Sequence, residues 1–124
     1  RLLNPHRQYD AAVMEVHHRQ KLDAPSGTAI STAETLLSTL TRKRTWTADS
    51  PVGAIAEDVL HVAATRVGSV PGQHAVLFDS AADSITVTHT ARSRRGFAEG
   101  ALLAAEWIQG RKGLYSIEDM LNEF

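Results

Sequence analysis

The hydrophobic and polar positions change period once, early in the chain, and that change organises its first third. From Tyr9 to His17 a loose alternation carries Val13, Met14 and Val16, which predicts a strand. Alternation then places Glu15 and His17 on one face and Val16 and His18 on the other. Arg19 to Pro25 is polar, and its proline biases Ala24 away from helix, so a loop follows. From Ser26 the period becomes helical, with Ala29, Ile30, Ala33, Leu36, Leu37 and Leu40 on one stripe. Ser26 is placed as the N-cap. Position 29 is Ala, so no capping box closes there and the first amides stay available to a ligand. Arg42, Lys43 and Arg44 stand near the helix end, where they complement its dipole.

Beyond this helix the pattern is less regular. Thr45 to Ala56 holds Pro51 and Gly53 and reads as a surface connection anchored by Trp46. Val59 to Gly68, Gln73 to Ser80 and Ser84 to Ala91 are strand-like and separated by turn signals, which predicts an antiparallel meander. Phe97 to Gln109 is predicted as a second helix stopped by Gly110, its small residues Gly100, Ala101, Ala104 and Ala105 permitting close packing. Ser116 caps a last short helix with Glu118 and Asp119 in its first turn. The order β-α-β-β-β-α-α fits a sheet with helices on one side.

Composition narrows the functional classes. A chain of 124 residues with 43% hydrophobic content fits one domain with one modest core. A net charge of −1 with interspersed signs offers no basic field for nucleic acid or anionic lipid. No apolar run approaches the roughly 20 residues of a membrane span, and no signal-peptide pattern opens the chain, so a soluble, cytoplasmic protein is expected. The absence of cysteine excludes disulfides, thiolate nucleophiles and cysteine-held metal centres. The chain begins with Arg1 in a polar, proline-containing stretch that reads as a hinge, which predicts a piece of a longer protein.

The candidate chemistry lies between Glu15 and Ala29. Gly27 and Thr28 would present backbone amides at a helix start, with the Thr28 hydroxyl as a further donor, a cradle for a carboxylate or phosphate. A plain serine-capped helix explains the same local pattern, but adjacent histidines and Lys21 favour the ligand-binding reading. His17 and His18 point apart and do not suit one shared metal. An imidazole that titrates near neutral pH and a mobile lysine cation, beside an anion cradle, suit proton delivery to a substrate.

Glu15-x-His17-His18, followed by Lys21-x-Asp23-Ala24-Pro25-Ser26-Gly27-Thr28-Ala29, resembles the substrate motif of the 4-hydroxy-tetrahydrodipicolinate reductases, also called dihydrodipicolinate reductases, of the bacterial lysine and diaminopimelate pathway. The resemblance reappears in Arg66-x-Gly68, Gly72-x-His74, His89-x-Ala91, Ser93-Arg94 and Phe97-Ala98-x-Gly100-Ala101. It implies an α+β fold with a mixed, largely antiparallel sheet. It implies His17 as acid/base, Lys21 as proton donor, His18 as a substrate contact, and Ser26, Gly27 and Thr28 as binders of a substrate carboxylate. Arg94 and Phe97 match positions near the nicotinamide cofactor, NADH or NADPH, and a homotetramer is implied.

The family's nucleotide-binding half carries a Gly-rich dinucleotide fingerprint, and no G-x-G-x-x-G occurs here. The resemblance is therefore to the carboxy-terminal part. It divides the chain into a hinge (1–8), a substrate-binding and oligomerisation domain (9–91), and a helical segment (92–124) that in the family packs back on the amino-terminal nucleotide-binding domain. The chain alone is expected to be inactive in hydride transfer. Two further readings stand beside this one. The first is a non-catalytic dicarboxylate-binding module. The second is a metal site built from Glu15, His17 and a distant His61 or His89, which has no standard spacing behind it.

Overall fold

In the computed structural model, which describes residues 1–124, the elements run β1 (Asp10–His17), α1 (Gly27–Thr39), β2 (Thr45–Thr47), β3 (Val59–Arg66), β4 (Gln73–Asp79), β5 (Ser84–Thr90), α2 (Arg95–Trp107) and α3 (Ile117–Leu121). Strand β1 is central in a five-stranded sheet ordered β2-β3-β1-β4-β5. The sheet is mixed, as expected, but its connectivity departs from a meander. β3 runs parallel to β1 and to β2, while β4 is antiparallel to β1 and to β5. Only β4 and β5 form the expected hairpin, because β1 inserts between β3 and β4. The three-residue β2, read from sequence as part of a connection, is too short to carry a period. Its Trp46 does anchor the segment to the core.

The core forms on one face of the sheet. Ala11 and Val13 of β1, Leu60 and Val62 of β3, and Phe78 of β4 meet Ala29, Ala33 and Leu40 from α1 and its end. The two alanines are fully buried, and their small side chains let the helix lie close over β1 and β3. Burial of a Val or Leu side chain contributes about 1.5–3 kcal/mol. Lys43 is buried beneath this layer. Its ammonium donates to the carbonyls of Glu57 (2.8 Å) and Val59 (2.9 Å) and pairs with Asp10 (2.6 Å), which satisfies the charge. The opposite face carries Met14, 45% exposed.

Residues Arg1–Thr90 form one compact unit and Ala91–Phe124 a second. The first eight residues belong to the former. Leu3 packs on its core, the Asn4 side chain accepts the Thr41 amide at 2.9 Å, and Arg42 donates to the Asn4 carbonyl at 3.2 Å. In the second unit, α2 begins two residues before the predicted start and Gly110 beyond its end takes φ 77°. Ser116 caps α3 in a closed capping box with Asp119. Arg111 stacks on Trp107 at 4.0 Å and pairs with Glu123 at 2.6 Å, tying the two helices. No helix is long and apolar enough to cross a membrane.

Candidate functional site

The carboxyl end of β1 carries a buried acid. Alternation along the strand puts Glu15 on the helix-covered face with Ala11, Val13 and His17, and leaves it 1% exposed. A carboxylate there needs partners, and it has three. One oxygen accepts from the Ser26 amide at 3.0 Å and from Arg66 Nη2 at 2.8 Å; the other faces His17 Nδ1. Burial raises the Glu15 carboxyl, but the hydrogen bonds from Arg66, Ser26 and His17, with the charge of Arg66, outweigh it and hold the group below the usual carboxylate range. Arg66 reaches this acid because His17 pairs with it across the parallel β1–β3 ladder. The same Nη2 also donates to the Asp23 carbonyl at 2.6 Å, tying the loop to the sheet.

His74 completes the cluster from β4, where the antiparallel register sets it opposite Glu15. Its ring meets the edge of His17 at 5.1 Å, and its Nε2 shares a hydrogen bond with the Ser26 hydroxyl at 3.0 Å. Burial first, and then the neighbouring His17, lowers the His74 imidazole below its usual range, with Glu15 partly opposing. Gly72 lies beside His17 Nε2, and a Cβ on it would stand 3.0 Å from that nitrogen. Glycine leaves the space a side chain would fill.

The expected helix start is present, with a division of roles. Ser26 is the N-cap and its hydroxyl accepts the Ala29 amide at 3.2 Å. With its amide on Glu15 and its hydroxyl shared with His74, Ser26 is buried and engaged inside the protein. Gly27 and Thr28 are exposed, and their amides have no helical partner. Lys21 extends to Asp23 at 2.8 Å. Lys21 chiefly, with help from the Gly27 amide, holds the Asp23 carboxyl below its usual value. A carboxylate of the chain itself thus stands where a cation and a helix-start amide converge. His18 lies just past the strand end, half-buried, and its carbonyl accepts the Lys21 amide at 3.2 Å.

Arg94 and Phe97 belong to the second unit, where Arg94 precedes the first residue of α2 and Phe97 is 64% exposed. A free cation and an exposed ring have the chemistry to touch an anionic dinucleotide; they do not make a complete site for one. The metal reading changes its members. His61 sits opposite Ala12, on the sheet face away from Glu15, whereas ligand atoms of Glu15, His17 and His74 lie within 4.8 Å of one another. Both Glu15 oxygens are already engaged, one of them by a guanidinium, and this opposes a cation. A cavity of about 920 Å³, lined by Arg7, Tyr9, Asp10, Arg42 and Arg44 among others, lies by the other end of β1, away from this chemistry. Sequence reasoning gave no role to Arg66 or His74. Both stand in short motifs of the resemblance, Arg66-x-Gly68 and Gly72-x-His74, but their place beside Glu15 depends on strand register, which local pattern does not give.

Residues 1–121 match the family model described as dihydrodipicolinate reductase, C-terminus. Three relatives named 4-hydroxy-tetrahydrodipicolinate reductase are similar over most of the chain. That of Christiangramia forsetii is 41% identical over 115 residues, 93% of this chain and 46% of the relative. Those of Pseudomonas fluorescens and Aquifex aeolicus are 42% and 44% identical, over 91% and 93% of this chain and 44% of each relative. The chain spans less than half the length of these relatives. A solved structure titled dipicolinate-bound dihydrodipicolinate reductase, from Paenisporosarcina sp. TG-14, superposes with a TM-score of 0.62 at 24% identity, covering 89% of this chain and 44% of that one. At that identity the likeness is one of fold.

Proposed function

Because the chain belongs to the family of dihydrodipicolinate reductase carboxy-terminal domains, we propose that it is the substrate-binding part of a 4-hydroxy-tetrahydrodipicolinate reductase of the diaminopimelate and lysine pathway. The observation that carries this reading is the convergence, at one end of β1, of a histidine backed by a buried carboxylate, a lysine and a helix start whose first amides have no intrahelical partner. In this reading His17 is the acid/base and Lys21 the proton donor. The Gly27 and Thr28 amides and the Thr28 hydroxyl take a substrate carboxylate, which displaces Asp23 from Lys21 and the helix start. Ser26 contributes by shaping the turn, and His18 contacts the substrate from the strand end.

NADH or NADPH supplies the hydride when bound. The amino-terminal nucleotide-binding domain of the parent protein holds it, with Arg94 and Phe97 as contacts from this chain. General acid/base help is worth about 10²–10⁴-fold in rate. The parent is further proposed to be a homotetramer that uses the sheet face away from α1. That face carries Met14 and Leu77, and a strand with apolar residues on both faces asks for cover on both.

Joining a nucleotide-binding domain of a reductase to this chain tests the proposal. Reduction of the substrate by NADH or NADPH in the joined protein, and its fall by about two to four decades in kcat on His17→Gln, is the expected result. A joined protein that binds both ligands without reducing the substrate favours the alternative of a non-catalytic dicarboxylate-binding module.

A further inference from the structure

We propose that Glu15 is the positioning residue for His17 and that Arg66 and the Ser26 amide dictate which imidazole tautomer it selects. The inference rests on His17 being the acid/base named above. Glu15 uses its two oxygens for different purposes. One receives two donors, Arg66 Nη2 at 2.8 Å and the Ser26 amide at 3.0 Å; the other faces His17 Nδ1. An ionised carboxylate only accepts, so Nδ1 must carry a proton. In the neutral ring this leaves the Nε2 lone pair free, on the side where Gly72 has no side chain to cover it. Nε2 is then the atom that exchanges a proton with substrate. The carboxylate also supplies the negative charge that accompanies the ring when it is protonated on both nitrogens.

The arrangement makes an isosteric substitution act in a defined way. In Glu15→Gln the carbonyl oxygen has to take the position that faces Arg66 and Ser26, because the alternative sets an NH₂ group against two donors. The amide NH₂ is thereby turned toward His17 Nδ1. Nδ1 must become an acceptor, so the neutral ring carries its proton on Nε2. The ring keeps its place and loses its free lone pair. A residue that merely stabilised the fold would not exchange one tautomer for the other.

The test uses the full-length protein with imidazole nitrogens labelled with ¹⁵N, and compares parent and Glu15→Gln by NMR above the histidine titration range and by steady-state kinetics. Expected are an Nδ1–H ring at His17 in the parent and an Nε2–H ring in the variant. Turnover, kcat, should fall about a hundredfold or more with little change in KM, since only proton transfer is damaged. An Nε2–H ring in the parent, an Nδ1–H ring retained in the variant, or an unchanged kcat overturns the inference. Should Glu15→Gln fail to fold, the parent spectrum decides alone: Nδ1–H supports the proposal and Nε2–H overturns it. If the tautomers exchange as expected in a protein that reduces no substrate, the inference about Glu15 stands and the reductase reading falls.

Discussion

The two compact units handle apolar side chains in opposite ways. Residues Arg1–Thr90 contain nine of the ten buried hydrophobic residues, and the ninety-first onward contain one, Met120. Yet α2 is not polar. Phe97 is 64% exposed and Leu102 is 66% exposed, and beyond the helix Phe124 is 81% exposed. Exposed apolar side chains clustered in this way fit a surface that a partner covers. The first unit draws its stability from its own sheet and α1; the second holds its shape through caps and the Trp107–Arg111–Glu123 cluster, and offers its apolar residues elsewhere. The proposed function assigns that cover to the nucleotide-binding domain of the parent protein.

A pair of equal truncations sharpens the contrast most. Leu60→Ala removes a fully buried side chain and should cost about 2–5 kcal/mol in urea unfolding. Leu102→Ala, on the exposed helix, should stay within roughly 0.5 kcal/mol of the parent. Similar costs at the two sites would break the distinction between the units.

Acid should weaken the first unit, beginning at His74 and continuing at Glu15. Glu15 has a depressed folded-state value, so its contribution is present at neutral pH and is lost as pH falls through that value. His74 is depressed as well. The unfolded chain takes up a proton near pH 6.5 while the folded chain resists until lower pH, so stability falls as pH drops below 6.5. Both groups act in one direction. The urea midpoint of the parent should fall below about pH 6.5 through His74 and further below about pH 4.5 through Glu15, and His74→Asn should flatten the upper part of that fall. A parent midpoint that rises on acidification would show that neither group is held as described.

Hydrogen exchange gives the gentlest comparison. Amides of β1, β3 and β4 should be protected well beyond those of Arg95–Trp107 in α2, since few buried contacts oppose local opening there. Protection of α2 equal to that of the sheet in a dilute monomer would mean that the helix needs no partner from the rest of the parent protein.

What could be read from sequence, and what could not, follows from the range of the interactions. The switch from period two to period 3.6 between His17 and Ser26 is local, and so β1, α1 and the Ser26 cap were legible. The parity that joins Glu15 to His17 on one face was legible for the same reason. The parallel pairing of β1 with β3 was not. It joins His17 to Arg66, 49 residues further along the chain, and no residue near either announces the register. The expected meander assumed that neighbours in sequence pair in space, and β1 displaced that arrangement. The roles of Arg66 and His74 depend on this pairing. The engagement of Asp23 with Lys21 is local, but two opposite charges two residues apart on a loop carry no direction until the loop is folded.

In the proposed function Lys21 and the start of α1 form the dicarboxylate site of this chain. Calorimetric titration of pyridine-2,6-dicarboxylate into the parent and into Lys21→Ala at low salt tests it most directly. Removal of one charged hydrogen bond, worth roughly 1.5–3 kcal/mol, should weaken binding by about ten- to a hundredfold. Equal affinity in the parent and in Lys21→Ala would contradict the placement of the site.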